Sequence, residues 1–495
     1  MQFEVRTLQI SGNSVFDTDT LLGLVADARG KRLSLRQLET LIGRITAHYR
    51  TAGYPLARAI IPAQTIVDGG VRVEVIEARL GAVRLDNRSV VMTDRLESIL
   101  APLRAGEVIA QASLDRPLLL ISDLSGVIPS AVIRAGSVVG TSDLDVRVEP
   151  GAAWAGRAQL DNQGNRFTGQ QRASAEASFF NPLNRGDVVT ASLLTSGQKL
   201  LSGRVAYATP VSSTGTRFNA GFSGLRYELG DSAAALLAHG DAASGTVSMS
   251  HPLRRGTDWN VRAEVQGERL TLRDRVDSTG IRSDRRLDLL SVRLSGDVSG
   301  VPGSSAQAAW FLGVTGGRLG FADAASAAAD SASGRTAGGF GKVEGQLLVT
   351  QPILAGATLA ISVRGQQAQG NLDASQKFSL GGPNAVRAYE VGSLSGDSAY
   401  LMSVEWRQDL PPLGAAGSLQ LVAFADGGRV TINQQPWRVG LNTASLGAAG
   451  ARLAWSSSPA AWQARLTVAA PWGPAPEISG LKRSTRLWLE LIKDF

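Results

Sequence analysis

Residues 485–495 have the sequence TRLWLELIKDF, which alternates in the manner of a membrane strand. Successive side chains of a strand point to opposite faces, so Leu487, Leu489 and Leu491 share one apolar face. The other face carries Arg486 and Glu490. An apolar face toward lipid and a polar face toward a lumen is typical of a transmembrane β-barrel strand. Residues 485–495 therefore predict a transmembrane β-barrel, and the barrel should extend back along the chain as far as the same alternation continues.

That pattern extends back to Trp154, and we count sixteen alternating segments between there and Phe495. The span 151–495 contains 345 residues, which is enough for sixteen strands of about 9–11 residues with their connections. A proline follows each even-numbered segment but the last, and proline belongs at strand ends and turns because it cannot donate to a sheet ladder. These prolines are Pro182, Pro210, Pro252, Pro302, Pro352, Pro411 and Pro459. The sequence predicts a 16-stranded antiparallel transmembrane β-barrel.

The composition excludes several classes of protein. The mean hydropathy is +0.01, and no apolar run approaches the roughly 20 residues that a membrane helix needs. The chain has no cysteine, which excludes a thiolate nucleophile, a cysteine-ligated zinc and any disulfide. Its net charge is +7, but the arginines are scattered through alternating segments rather than clustered. We interpret them as residues of a polar lumen and loops, in preference to a nucleic-acid surface.

Residues 1–150 follow a different pattern, in which strand, helix, helix, strand, strand occurs twice. The first copy begins with a strand over 3–10, and Ser34 is expected to cap a helix that ends near Gly53. Two copies of one βααββ pattern form an internal repeat. We therefore predict two small α/β domains, 1–76 and 77–150, in front of the barrel, 151–495.

These modules resemble POTRA domains. The similarity rests on LQISGN at 8–13 and on YRTAGYP at 49–55. The resemblance implies a periplasmic location and the binding of unfolded client chains, at a sheet edge or in a helix groove.

The stretch KFSLGGPNAVRAYE, residues 377–390, closely resembles the signature loop of the Omp85 superfamily. Within that superfamily the whole chain, 1–495, is similar to the two-partner secretion transporters of the haemolysin-activator type. The residues that carry this match are Gly381, Gly382, Val386, Arg387, Ala388 and Tyr389. The family has glycine where this chain has Ala388, so we expect strain there if a positive φ or a close approach is needed.

The resemblance also implies where this sixth outer loop, residues 370–398, is held. The family loop folds into the lumen, and its arginine pairs with an aspartate of the wall. The matching wall motif is FADGG at 424–428, which contributes Phe424, Asp426 and Gly428. We therefore predict that Arg387 pairs with Asp426.

Two further motifs resemble parts of the same family. The stretch DNQGNRFTG at 161–169 resembles the first hairpin, although an ordinary Asn/Gly turn explains it equally well. Its motif residues are Asp161, Asn162, Gly164 and Gly169. The terminal Phe495 resembles the signal that delivers barrels to their assembly machinery. Lys493 departs from the pattern by placing a charge on the lipid face, which costs about 0–1 kcal/mol near the membrane edge.

Together these features predict an outer-membrane transporter that recognises an unfolded exoprotein in the periplasm and secretes it through the barrel without ATP. No HExxH, GxSxG or GxxxxGK(S/T) motif occurs in the sequence, and His48, His239 and His251 are scattered. We expect no metal and no cofactor. The expected partners are the exoprotein, outer-membrane lipid and the assembly machinery, with no nucleic acid, and the expected state is a monomer. Export also requires a signal segment, which we expect to be removed before Met1.

Two alternatives remain open at this point. One is an insertase that assembles other barrels through a weak seam between its first and last strands. The other is a passive porin, which the two client-binding modules disfavour because a porin needs none.

Overall fold

The structure is a computed structural model that describes residues 2–197, 199–300, 304–458, 461–474 and 484–495. The chain divides into two units, Met1–Gly151 and Ala152–Phe495. Within the described ranges, no helix is both long enough and apolar enough to cross a membrane.

The first half of the amino-terminal unit contains a three-stranded sheet, a separate two-stranded sheet and helices. Its elements are β1 (Gln2–Glu4), β2 (Thr7–Ser11), α1 (Thr18–Gly23), β3 (Arg32–Ser34), α2 (Leu35–Thr51), β4 (Arg58–Ile60) and β5 (Gly70–Ile76). β5 lies between β2, which is parallel to it, and β4, which is antiparallel. Helix α2 begins with a capping box between Ser34 and Gln37, which confirms the predicted cap.

The single strand predicted over 3–10 is wrong. The chain breaks between β1 and β2, where the main-chain nitrogen of Val5 bonds to the Lys31 oxygen and that of Arg6 bonds to the Gly69 oxygen. Val5 is fully buried, so the break inserts an apolar side chain into the core and moves β1 into a separate pair with β3. The hydrophobic alternation across 3–10 gives no sign of this change of partner.

The second half repeats the same topology. Its elements are β6 (Arg79–Asn87), α3 (Thr93–Leu100), α4 (Gln111–Ser122), β7 (Val127–Ala135) and β8 (Thr141–Pro150). β8 lies in the middle of the sheet, parallel to β6 and antiparallel to β7. In the three-stranded sheet of each half the last strand thus lies in the middle, which agrees with the internal repeat. β7 lies at one edge of its sheet.

A buried carboxylate lies between the two halves. Glu77 accepts hydrogen bonds from the hydroxyl of Tyr49 (2.7 Å), from the main-chain nitrogens of Ser14 (2.8 Å) and Val15 (2.9 Å), and from the Ser14 hydroxyl. Burial acts to raise the pKa of Glu77, but these hydrogen bonds hold it below the ordinary value. Burial and the bond to Glu77 raise the pKa of Tyr49.

The second unit is a closed antiparallel barrel of sixteen strands, which confirms the predicted fold class. The strands on the amino-terminal side of the sixth loop are β9 (Trp154–Asp161), β10 (Arg172–Phe180), β11 (Val188–Thr195), β12 (Leu200–Pro210), β13 (Arg217–Glu228), β14 (Ala238–Arg254), β15 (Trp259–Val276), β16 (Ile281–Ser299), β17 (Gln307–Phe321), β18 (Gly338–Leu354) and β19 (Ala357–Ala368). A short helix, α5 (Ala324–Ser331), connects β17 to β18. The loop contains the two-residue strands β20 (Phe378–Ser379) and β21 (Ser395–Gly396). The remaining barrel strands are β22 (Ser398–Asp409), β23 (Ser418–Thr431), β24 (Thr443–Ser456), β25 (Trp462–Pro471) and β26 (Arg486–Asp494).

The last strand has the two faces that its sequence predicts. Leu487 is 50% exposed on the outside, whereas its neighbour Trp488 is 3% exposed on the inside. Lys493 lies on the outer face with its nitrogen 5.7 Å from the ring centre of Trp462 and 5.2 Å from that of Phe495. These aromatic rings give the charge a favourable neighbour at the end of the strand.

The predicted positions of the prolines are only partly right. Pro182 and Pro411 lie in connections, whereas Pro210, Pro252 and Pro352 lie within strand ends. The pairing register shifts just after Pro252 and just after Pro352, so the ladder adjusts where proline has no donor. Pro302 and Pro459 lie outside the described residues.

Candidate functional site: a loop folded onto the barrel wall

The sixth loop runs between β19 and β22 and turns back on itself. β20 pairs with β21, and the main-chain nitrogen of Val386 donates to the Leu380 oxygen at 2.8 Å. Gly381 lies where this turn is tightest, since a Cβ there would come within 2.1 Å of the Glu390 oxygen. Gly382 follows with a φ of 129°. The predicted pair of glycines therefore makes the tight turn possible.

Apolar side chains of the loop pack against the wall formed by β22 to β25. The buried loop residues Leu380, Val386, Ala388 and Tyr389 form one cluster with wall residues that include Leu401, Phe424, Leu446, Ala448 and Ala469. Gly428 on β23 leaves space for this packing, because a Cβ there would lie 2.7 Å from Leu380 Cδ2. The loop is thus packed against the wall rather than solvated.

Arg387 makes the central polar contact between loop and wall. Its Nη2 lies 2.6 Å from Asp426 Oδ1, and its Nε lies 2.8 Å from Asp426 Oδ2, which is a bidentate pair. The same guanidinium donates to Glu405 (2.7 Å) and to the Ser403 hydroxyl (2.8 Å). It also lies 3.4 Å from the ring centre of Phe424, and Arg387 as a whole is 5% exposed. The structure therefore brings Arg387, Phe424 and Asp426 together at one point of the wall.

Glu405 is a site residue that the sequence analysis missed. Beside Arg387 it binds Arg407 (2.8 Å) and Arg452 (3.3 Å), so three guanidinium groups share one carboxylate. It lies on the inward face of β22, where an acidic residue alone looks like any other lining residue of a polar lumen. Its position opposite the loop could be found only once the register of β22 is known.

Ala388 does not have a positive φ and is fully buried in the loop–wall cluster. The backbone at this position therefore does not need the positive φ that would have made alanine strained. The methyl group fills space in the apolar cluster instead, and it adds to the contact that holds the loop.

The base of the loop is held by another buried carboxylate. Asp397 is fully buried and contacts Lys377 Nζ (2.9 Å) and the main-chain nitrogens of Leu372 (3.0 Å) and Gln434 (2.8 Å). Asp397 thus joins the start of the loop, its return and the β23–β24 connection. The sequence analysis assigned Asp397 no role.

The first hairpin lies beside the closing strands of the barrel. Asp161 accepts from Arg172 Nε at 2.8 Å and from the main-chain nitrogen of Gln163 at 2.8 Å. The main-chain nitrogen of Gly164 donates to the Gln170 oxygen at 2.9 Å, and Gly169 has a φ of 98°. Asn162 bonds to the opposite strand β26.

The terminal Phe495 lies at the end of β26. Its main-chain nitrogen donates to the Gly156 oxygen at 2.8 Å, and its side chain is 64% exposed. Among the residues that the structure describes, no group of histidine, aspartate and glutamate side chains could hold a metal ion.

Comparison with known proteins places this geometry among transporters. A model of the family described as haemolysin secretion/activation protein ShlB/FhaC/HecB matches residues 140–450. A model of the ShlB-type POTRA domain matches residues 3–78. The chain is 26% identical over 502 residues to the heme/hemopexin transporter protein HuxB of Haemophilus influenzae, with coverage of 100% of this chain and 88% of that protein.

Solved structures share the fold. CdiB from Escherichia coli has a TM-score of 0.78 at 19% identity, with coverage of 100% of this chain and 91% of that chain. BamA from Haemophilus ducreyi lacking POTRA domains 1–3 has a TM-score of 0.57 at 12% identity, with coverage of 100% of both chains. The barrel fold is therefore shared by CdiB and BamA, so the fold alone does not identify the family of this chain. The family is identified by the match over residues 140–450.

Proposed function

The chain belongs to the haemolysin secretion/activation protein family ShlB/FhaC/HecB, and on that premise we propose how its parts carry out two-partner secretion. It is an outer-membrane transporter with an amino-terminal POTRA domain in the periplasm. The family match favours secretion over the insertase alternative. The modules 1–76 and 77–150 would bind an unfolded exoprotein, and the barrel would pass it outward.

We propose that the client pairs with the outer edge of β7. Hydrogen bonds from Gly151 to Gly126 and from Gly136 to Thr141 flank the β7–β8 ladder. In an antiparallel ladder the bonded pairs alternate, so the odd-numbered residues of β7 direct their main-chain groups away from β8. Ala131, Ile133 and Ala135 therefore offer main-chain donors and acceptors to an added strand.

The composition of this edge fits an unfolded chain better than a folded partner. Val132 is 51% exposed and Ile133 is 41% exposed, so one apolar side chain is offered on each face of the strand. Pro129 has no donor and would end the pairing on one side. Main-chain pairing with apolar contacts at alternate positions selects extended apolar segments without reading a long sequence.

The sixth loop is the part that has to move for a chain to pass. It covers the wall of β22 to β25 from inside and is held there by Arg387 on Asp426 and by the apolar cluster. These contacts are of two kinds, one ion pair and one apolar cluster. A client chain in the lumen could therefore replace them with its own contacts to the wall. The arginines Arg364, Arg407 and Arg452 line the cavity next to the loop and would offer donors to the passing main chain.

Three further features complete the proposal. The exposed leucines of the outer face would contact outer-membrane lipid. Phe495 would be read by the barrel assembly machinery before the barrel closes. The transporter would act as a monomer, because each strand of the closed barrel already pairs with two neighbours of the same chain.

The observation that carries the proposal is the free edge of β7 in a unit that precedes a closed barrel. The experiment removes residues 2–150 and compares secretion of the exoprotein with the conductance of the purified barrel. A transporter should lose secretion while the barrel still assembles. A porin would keep both its conductance and its role, and that result would reject the proposal.

A further inference from the structure

The barrel closes through its shortest strand pairing. β26 pairs with β9 over five residue pairs, from Glu490↔Asp161 to Asp494↔Arg157. Every other pair of neighbouring barrel strands that the structure describes is joined over at least eight. We call this closure, β9 with β26, the seam. The segment 486–489 of β26 extends beyond the paired part of the seam.

Asn162 provides the contacts of segment 486–489 on the β9 side. Its main-chain nitrogen donates to the Leu489 oxygen at 3.3 Å. Its side-chain amide accepts from the Leu489 nitrogen at 2.8 Å and donates to the Leu487 oxygen at 2.9 Å. One asparagine thus replaces a ladder where the seam would otherwise be open.

The sixth loop contacts the same segment from inside the barrel. Trp488 Nε1 donates to the main-chain oxygen of Arg387 at 2.7 Å. Arg486 Nη2 lies 2.6 Å from Glu390 Oε1, with side-chain exposures of 16% and 14%. Glu390 also lies 3.9 Å from Arg166 in the hairpin that follows β9. The loop therefore reaches both sides of the seam.

We infer that Glu390, Arg486 and Trp488 form a latch that couples the docking of the sixth loop to closure of the outer end of the seam. Residues 387–390 of the loop connect two parts of the wall. The Arg387 side chain is held by β22 and β23, while its main-chain oxygen and Glu390 are held by β26. Displacement of the loop from β23 would remove the inner contacts of segment 486–489, and Asn162 alone would then hold its β9 side.

The proposal does not depend on the proposed secretion function, because it concerns the isolated transporter without a client. The test is hydrogen exchange in the purified full chain in detergent micelles, read at the amides of 486–489. Glu390→Gln should raise the exchange rate there about tenfold, which corresponds to about 1.4 kcal/mol. Trp488→Phe, which keeps an aromatic side chain but removes the indole donor, gives an independent variant of the same latch.

Asp426→Asn separates coupling from a local effect. Asp426 lies on β23 and holds the loop through Arg387, so this change acts on β26 only if loop docking and seam closure are linked. It should also raise exchange at 486–489. Glu344→Gln is the control, since Glu344 on β18 also pairs with a luminal arginine, Arg293 on β16, at 3.0 Å but away from the seam. If Asp426→Asn leaves exchange at 486–489 within twofold of the parent, the latch does not couple the two sites and the inference is overturned.

Discussion

Arg387 binds Asp426 through two parallel contacts of 2.6 and 2.8 Å, and its remaining guanidinium nitrogen binds Glu405 at 2.7 Å. One cation from the loop thus pairs with two carboxylates of the wall. Removing one partner of a buried ion pair typically costs about 3–5 kcal/mol, because it leaves an uncompensated charge. The contact therefore adds a buried polar anchor to the apolar cluster that holds the loop.

We predict that Arg387→Ala impairs secretion at least tenfold while the barrel still assembles. The strand ladders do not involve this side chain, so assembly should proceed, but the loop loses its polar anchor and Asp426 loses its bidentate partner. Secreted exoprotein in the medium measures the first effect. Heat-modifiable migration of the barrel on a gel measures the second.

Arg293→Ala is the matched control for Arg387→Ala. Arg293 is also a luminal arginine paired with a glutamate, Glu344 at 3.0 Å, but both belong to barrel strands rather than to the loop. It should leave secretion within twofold of the parent. Normal secretion by the Arg387 variant would remove the loop contact from the mechanism.

Much of the fold follows from periodicity. Alternation in β26 predicts both of its faces, and the repeat in 1–150 predicts the shared order of β2-β5-β4 and β6-β8-β7. These patterns are local, so they can be recognised from neighbouring residues without knowledge of the tertiary structure. The break at Val5 was missed because the buried position and the new partner Lys31 depend on the rest of the module.

The candidate site, too, could be predicted only in part from the sequence. Arg387 and Asp426 were identified through family resemblance, which carries three-dimensional information that spacing does not. Glu390 and Arg486 are 96 residues apart and have no motif in common, so no sequence pattern indicates that they meet. Contacts between a folded-in loop and a wall are set by the closure of the barrel, and local sequence patterns do not contain them.

The edge of β7 can be blocked without damage to its own sheet. Ala131→Pro removes a main-chain donor that points away from β8, so the β7–β8 ladder stays intact. We predict about tenfold weaker binding of the unfolded exoprotein, because one hydrogen bond is lost and the ring obstructs an added strand. Binding is measured by titration of the full-length transporter with the unfolded client.

Val132→Pro provides the contrast on the same strand. Its main-chain nitrogen points toward β8, so this change should instead destabilise the module. Unchanged client binding by Ala131→Pro, with the module folded, would exclude this edge as the docking site.

We predict that Glu77 makes the stability of its module sensitive to acid. Its folded-state pKa is lowered, so its carboxylate stabilises the module fully above its unfolded pKa of about 4.3. The stabilisation is lost as the pH falls through the folded-state pKa. Glu77→Gln should lower the free energy of unfolding of the module by about 1–3 kcal/mol at pH 7 and remove this dependence.

The measurement for Glu77 is urea-dependent hydrogen exchange of peptides containing Tyr49, in the full chain and corrected for intrinsic rates at each pH. Glu74→Gln is the control, since Glu74 lies on β5 of the same module but is exposed. It should change the stability by no more than about 0.5 kcal/mol. An identical pH profile in the parent and Glu77→Gln would show that the buried carboxylate does not titrate with folding.

Phe495 offers a way to separate a delivery signal from a structural contact. Its main chain pairs with Gly156 across the seam, whereas its side chain is exposed on the outer face. Phe495→Ala keeps the main-chain pairing, so purified protein should refold into detergent micelles with the parent's yield. In cells the same variant should assemble about tenfold less barrel, since one apolar ring read by a partner contributes about 1.5 kcal/mol or more.

Leu489→Ala, which shortens an exposed side chain of the same outer face, should assemble normally. Equal losses in cells and in micelles would instead make Phe495 a structural residue of the seam, because a signal acts only where the machinery that reads it is present.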